Sequence, residues 1–239
     1  MRDTASFVEK CKKIGISLSD KQVNQFMTYY DLLIEWNSFM NLTAITDYDE
    51  VVMKHFIDSL AICQYVDFEK NDSLIDIGTG AGFPGIPLKI VFPNLKITLL
   101  DSLNKRINFL NTVIETLELD NIETIHGRAE DFAKQPNYRE QYDFVISRAV
   151  ANLATLSELC LPFVKKDRLF ISYKSEKCNE ELLDAKKAID ILGGEVEKQM
   201  EYYLLDSDIK RNLLLIRKVK STPKKYPRKA GTPAKEPIK

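Results

Sequence analysis

Five short apolar runs, Leu74–Ile77, Ile97–Leu100, Ile122–Ile125, Phe144–Ile146 and Leu169–Tyr173, alternate with stretches of helical spacing. The intervening segments are Pro84–Phe92, Asn104–Leu119, Leu153–Val164 and Glu180–Leu192, with a shorter link before the fourth run. A run without polar alternation has no face to give to water, so it belongs to a parallel strand covered on both sides. Strands alternating with helices lay such a sheet down one unit at a time. Two further β-like runs, Glu195–Leu204 and Asn212–Val219, are joined by a polar turn and predict an antiparallel hairpin at the sheet edge. The expected fold is α/β and Rossmann-like, a mostly parallel seven-stranded sheet with a terminal antiparallel hairpin.

Before the first strand, residues 1–66 read as a helical cap. Val23, Phe26, Met27, Tyr30, Leu33, Ile34 and Trp36 recur at three- and four-residue spacing, and Val51, Val52, His55, Phe56, Leu60 and Cys63 form a second apolar face. The sheet domain then spans 67–219. Residues 220–239 carry four prolines and little that could be buried, so this segment is expected to be a basic, flexible tail. Its charge stands out: from Lys218 onward eight Lys/Arg face Glu236 alone, whereas the whole chain of 239 residues has net charge −1. A basic tail on an acidic body suggests a polyanionic partner.

Other classes are excluded early. No run approaches the length of a membrane span, and the first residues lack a signal-like apolar stretch, which together lead us to expect a cytoplasmic protein. Cys11, Cys63, Cys160 and Cys178 form no C-x-x-C pair and have only His55 and His126 to join them, so neither a metal site nor a disulfide framework is expected.

The segment Asp76-Ile77-Gly78-Thr79-Gly80-Ala81-Gly82-Phe83 follows the first strand and opens a helix, the context in which a glycine-rich turn becomes a ligand loop. Pro84 suits the first helical turn, and free amides there would favour a ligand carboxylate. A dinucleotide fingerprint would need glycine where Phe83 stands. An acidic residue beside the loop, Asp76, instead suits a ligand with ammonium and sulfonium charges, S-adenosylmethionine (SAM). Asp101 ends the second strand, where a carboxylate can accept ribose hydroxyls. Ala129 and Glu130 follow the third strand on the adenine side, and Arg148 ends the fourth.

What the chain lacks narrows the acceptor. No Asp/Asn-Pro-Pro-Tyr/Phe motif follows the fourth strand, where an exocyclic amine would be oriented, and Cys160 sits in a helical apolar pattern unlike that of a nucleophilic thiolate. A ring nitrogen with a free lone pair, such as guanine N7, needs neither. Arg148 and Lys174 are the candidates for positioning such a base through O6 or a phosphate, and no catalytic residue proper is identified.

The ensemble resembles the RsmG (GidB) family of small-subunit rRNA methyltransferases over almost the whole chain. Its marks are Trp36-Asn37, Asn41 through Ile45, Lys54 through Ser59, Asp76 through Pro87, Asp101 through Arg106, Arg128-Ala129-Glu130, Ser147-Arg148-Ala149, and the tail Thr222 through Pro233. The resemblance implies SAM-dependent methylation of guanine N7 at position 527 of 16S rRNA. It also implies SAM contacts at Gly78, Phe83, Ala129, Glu130 and Arg148, to which the reading of the loop adds Asp76 and Gly80 and the end of the second strand adds Asp101. Lys105 and Arg106 match a basic pair that would meet RNA, with Lys224, Lys225, Arg228 and Lys229 of the tail beside them. The partner is then 16S rRNA or the small ribosomal subunit, with no membrane and no obligatory protein partner evident. Two alternatives remain open at this point. One is a non-catalytic RNA-binding or ribosome-assembly module; the other is a nicotinamide-dependent oxidoreductase, against which Phe83 and the absence of a Tyr-x-x-x-Lys motif weigh.

Overall fold

The computed structural model describes residues 3–68 and 72–238. Helix α1 (Thr4–Lys13) leads to α2 (Asp20–Met40), opened by a reciprocal capping box between Ser19 and Gln22 and closed by Asn41 in the left-handed region at φ 51°. A continuous helical run follows: α3 (Tyr48–Val51), a π-helical turn (Val52–Ile57), α4 (Asp58–Leu60) and a 3₁₀ turn (Ala61–Gln64). One-turn π segments inside α-helices are uncommon and concentrate at functional sites; this one carries His55.

The alternating part runs β1 (Ser73–Ile77), α5 (Gly85–Val91), β2 (Lys96–Asp101), α6 (Asn104–Thr116), β3 (Ile122–His126), α7 (Ala129–Phe132), β4 (Tyr142–Arg148), α8 (Leu153–Cys160), β5 (Val164–Lys174), α9 (Cys178–Ile191), β6 (Gly194–Tyr203) and β7 (Lys210–Lys218). The strand order is β3-β2-β1-β4-β5-β7-β6, parallel from β3 to β5 and antiparallel at β7 and β6. The hairpin therefore inserts its second strand against β5 and leaves β6 at the edge. Chain direction across the sheet reverses between β1 and β4, and a crevice opens at the carboxyl ends of strands where that happens.

The helical cap and one face of the sheet share a single core. Phe7, Phe26, Tyr29, Phe56 and Phe83 form one aromatic cluster with ring centroids 5.0–6.2 Å apart. Tyr29, which the periodic face of α2 did not include, is fully buried, and its hydroxyl donates to the Ala81 carbonyl at 2.5 Å. The cap is thereby fastened to the glycine-rich loop. We expect Y29F to leave that carbonyl unpaired and to cost about 1–3 kcal/mol, read as a lower urea midpoint.

The carboxyl-terminal segment departs from the expected flexible tail. It straps across the far side of the sheet and ends in α10 (Thr232–Lys235). Arg228 donates from its backbone amide and guanidinium to the buried Glu158 carboxylate at 2.6–3.0 Å. Arg139 holds the carbonyls of Thr222 and Tyr226, and Pro227 and Pro233 are buried. The prolines exclude long helix or strand, as expected, but buried partners on α8 supply the ordering that composition alone does not show. Lys239 lies outside the described residues.

Candidate active site

Three glycines at positive φ, Gly78 (70°), Gly80 (64°) and Gly82 (98°), turn the chain from β1 into α5. Gly78 and Thr79 amides both donate to the Leu100 carbonyl at 2.8 and 3.1 Å, so the loop lies against the end of β2. A Cβ at Gly78 would meet Val150 Cγ2 at 2.6 Å, whereas the space beyond Gly80 is open.

Asp76 lies under this loop rather than beside a ligand. It is wholly buried; its Oδ2 accepts from Thr79 Oγ1 at 2.8 Å and from the Gly85 amide at 3.0 Å, while Oδ1 has no partner. The expected charge offset to a bound cation is therefore not what this carboxylate supplies, and the first amide of α5 is spent on Asp76 instead of a ligand carboxylate. Burial pushes its pKa up to about 7 against the pull of those two hydrogen bonds. Between about 3.8, the ordinary value, and 7 the folded chain holds a proton that the unfolded chain releases, so stability falls as pH rises through that window. We expect the stability of D76N relative to the native chain to rise from pH 4 to pH 7, by paired urea melts.

Asp101 ends β2 and lines a cavity of about 460 Å³ together with Gly78, Gly80, Phe83 and Arg148. Its Oδ2 accepts from the Gly80 amide at 3.0 Å and Arg106 Nη1 at 3.2 Å, and its Oδ1 from the Leu103 amide at 2.9 Å. Arg106 thus stands at the rim of this cavity. Lys105 donates to the Met40 carbonyl at the end of α2, at 3.2 Å, where a cation also meets the negative end of the helix. Ala129 and Glu130 are buried outside the residues lining the cavity, and Glu130 Oε1 accepts from the Gly231 amide at 2.8 Å. Their loop still borders Asp101, because the Gly127 amide donates to the Asp101 carbonyl at 3.0 Å.

At the end of β4, Ala149 takes a positive φ of 58° and turns the chain across the switch point. Arg148 Nη1 donates to Asp58 Oδ2 at 2.9 Å and to the Lys54 carbonyl at 3.1 Å, and its guanidinium lies 5.3 Å from the Phe83 ring centroid. The other Asp58 oxygen accepts from Tyr202 at 3.1 Å. His55 stacks on Phe83 at 4.6 Å, and its Nε2 pairs with Thr43 Oγ1 at 2.8 Å. Burial first, then the Arg148 charge, pushes the His55 pKa down to about 4, so the ring is neutral at pH 7. Tyr202 of the edge strand reaches Asp58 through a pairing that no local sequence signal reveals.

A second cavity of about 730 Å³ shares His55, Arg148, Ala149 and Val150 with the first. Lys174 lies on its wall, donating to Glu181 Oε2 at 2.7 Å and the Ala151 carbonyl at 2.8 Å. Of the expected RNA-facing cations, Arg228 is committed to Glu158, whereas Lys224, Lys225 and Lys229 are exposed.

The donor set fits SAM on two observations: the open space beyond Gly80 lets backbone approach a ligand, and the Asp101 carboxylate lines the same cavity. With the 3-2-1-4-5-7-6 sheet, this is a class I SAM-dependent methyltransferase. The GidB family, rRNA small subunit methyltransferase G, matches residues 22–202. Ribosomal RNA small subunit methyltransferase G of Lachnoclostridium phytofermentans is 56% identical over 238 residues, covering 100% of this chain and 98% of that protein. The protein of the same name from Clostridium novyi is 53% identical, with 95% and 93% covered. The chain belongs to this family. Among solved structures, a Haloferax volcanii protein in complex with the Trm112 methyltransferase activator superposes with TM-score 0.59 at 14% identity, covering 79% of this chain and 98% of that one. YcgJ from Bacillus subtilis gives 0.53 at 12%, with 70% and 100% covered. These two likenesses speak to the fold alone. Among the described residues no helix is long and apolar enough to cross a membrane.

Proposed function

We propose that this chain transfers the methyl group of SAM to N7 of a guanine in small-subunit ribosomal RNA, the position the sequence resemblance numbers 527. SAM supplies an electrophilic methyl group on a sulfonium, and the C–S bond electrons stay with sulfur as the new N–C bond forms. The smaller cavity would hold the cofactor: Gly78 and Gly80 would present backbone to it, Phe83 and Arg148 would line it, and Asp101 would accept from the ribose. The loop that leads to Ala129 and Glu130 borders Asp101 and would flank the adenine, and Asp76 keeps the glycine-rich loop in shape from below.

One observation carries the choice of acceptor. Among the described residues no group on the wall between the cavities is free to take up a proton: His55 is a weak base with both ring nitrogens engaged, and Asp58 beside it is held by Arg148 and Tyr202. An acceptor atom that must lose a proton would find no base on that wall, whereas guanine N7 already offers a lone pair. The residues here align the base and exclude water, which converts an encounter into an in-line displacement. Exposed Lys224, Lys225 and Lys229 on the ordered strap offer charge to rRNA phosphates, a contact that weakens with salt.

The test is incubation of the purified chain with methyl-labelled SAM and small ribosomal subunits from cells lacking the protein. Label on a guanine that becomes base-labile, as N7-methylguanine does, supports the proposal. RNA binding without label supports the assembly module; binding of a nicotinamide dinucleotide in place of SAM supports the oxidoreductase.

A further inference from the structure

We infer that Glu181 reads the Watson–Crick edge of the target guanine in the larger cavity. The inference rests on the function proposed above. His55, Arg148, Ala149 and Val150 form the wall that the two cavities share, so an acceptor atom attacking across it must face that wall. In guanine, N7 and the N1/N2 edge lie on opposite sides of the fused ring. A base seated with N7 toward the wall therefore turns N1–H and the 2-amino group away from the cofactor. Glu181 lines the larger cavity and not the smaller.

The carboxylate is built as a fixed acceptor. It stands in the first turn of α9, and its Oε2 accepts from the Leu153 amide at 2.7 Å and from Lys174 Nζ at 2.7 Å. Lys174 is itself buried and pinned by the Ala151 carbonyl at 2.8 Å. Both anchors pull on the same oxygen and leave Oε1 with no partner among the described residues. This changes the role expected for Lys174: it orients Glu181 rather than gripping a phosphate.

The chemistry that matches a fixed carboxylate oxygen is a pair of adjacent N–H donors, which guanine presents at N1 and N2. Adenine presents a lone pair at N1 and no donor at C2, so it would meet Oε1 with repulsion. The contact also strengthens during reaction. Bond formation at N7 leaves the purine cationic, and part of that charge reaches N1–H and the 2-amino group. A carboxylate there stabilises the transition state more than the ground state.

The test compares reconstituted small subunits carrying guanosine or inosine at the target position; inosine keeps N7, O6 and N1–H but lacks the 2-amino group. The native enzyme should show kcat/KM about 10-fold lower for inosine, the scale of one lost hydrogen bond to a charged group. In Glu181→Gln the amide oxygen can still accept from Leu153 and Lys174. We expect its kcat/KM for guanosine to fall about 100-fold, the inosine preference ratio to approach 1, and SAM affinity to stay within twofold. Equal rates of the native enzyme on both substrates overturn the inference whatever the variant does, as does a variant that keeps the native ratio. Absence of methylation of the guanosine subunits by the native enzyme would instead overturn the proposed function itself.

Discussion

Arg148→Ala is expected to lower kcat/KM by about 100- to 1000-fold, the scale seen when one preorganised electrostatic group is lost from an active site. From the end of β4 the side chain reaches both the cap and the glycine loop. It binds Asp58 and the Lys54 carbonyl and lies beside Phe83. Without it, Asp58 keeps, among the described residues, Tyr202 and the more distant Arg211 at 3.5 Å, and the wall loses its registration. Arg148→Lys keeps a charge but is shorter and lacks the planar guanidinium that lies against the Phe83 ring, so it should recover little. Steady-state kinetics on small subunits, with SAM binding by calorimetry, separates lost alignment from lost cofactor affinity. A variant within threefold of native on both counts would remove Arg148 from the account.

Arg228→Ala is expected to destabilise the fold by about 3–5 kcal/mol, because it leaves the buried Glu158 carboxylate without its cationic partner and with only the residue 228 backbone amide of that set. For a chain of this size that corresponds to a melting temperature lower by roughly 10 °C. Were the carboxyl-terminal segment a free tail, the same substitution would fall within about 0.5 kcal/mol of native, as exposed positions do. Thermal melts of R228A beside Lys224→Ala, an exposed neighbour, distinguish the two cases. Truncation after Val219 should likewise lower stability and not RNA affinity alone, since Lys218, Glu140 and Glu158 all hold the strap.

How legible this was depended on the range of the interaction. Parallel strands and the glycine loop were readable because their signals are local: unbroken apolar runs and three glycines at alternate positions. The hairpin was legible for the same reason, although its placement beside β5 was not. Tyr29 escaped the periodic reading of α2 because its value lies in a carbonyl of a loop 52 residues away. Asp76 was placed beside the cofactor by proximity in sequence, whereas the direction of its side chain under the loop is a packing outcome. The strap was misread because proline count reports what the backbone cannot do and says nothing of Glu158, Glu130 and Arg139 waiting for it. Glu181 carries no motif, since its partners Leu153 and Lys174 come from two other elements.

The central claim, methyl transfer to guanine N7 in small-subunit rRNA, is tested most directly by mapping that modification in cells. Ribosomal RNA from a strain lacking this chain is compared with rRNA from the same strain expressing the native chain or R148A. The account predicts that one N7-methylguanine disappears in the deleted strain, returns with the native chain, and stays absent with R148A. An unchanged modification map in the deleted strain would contradict it.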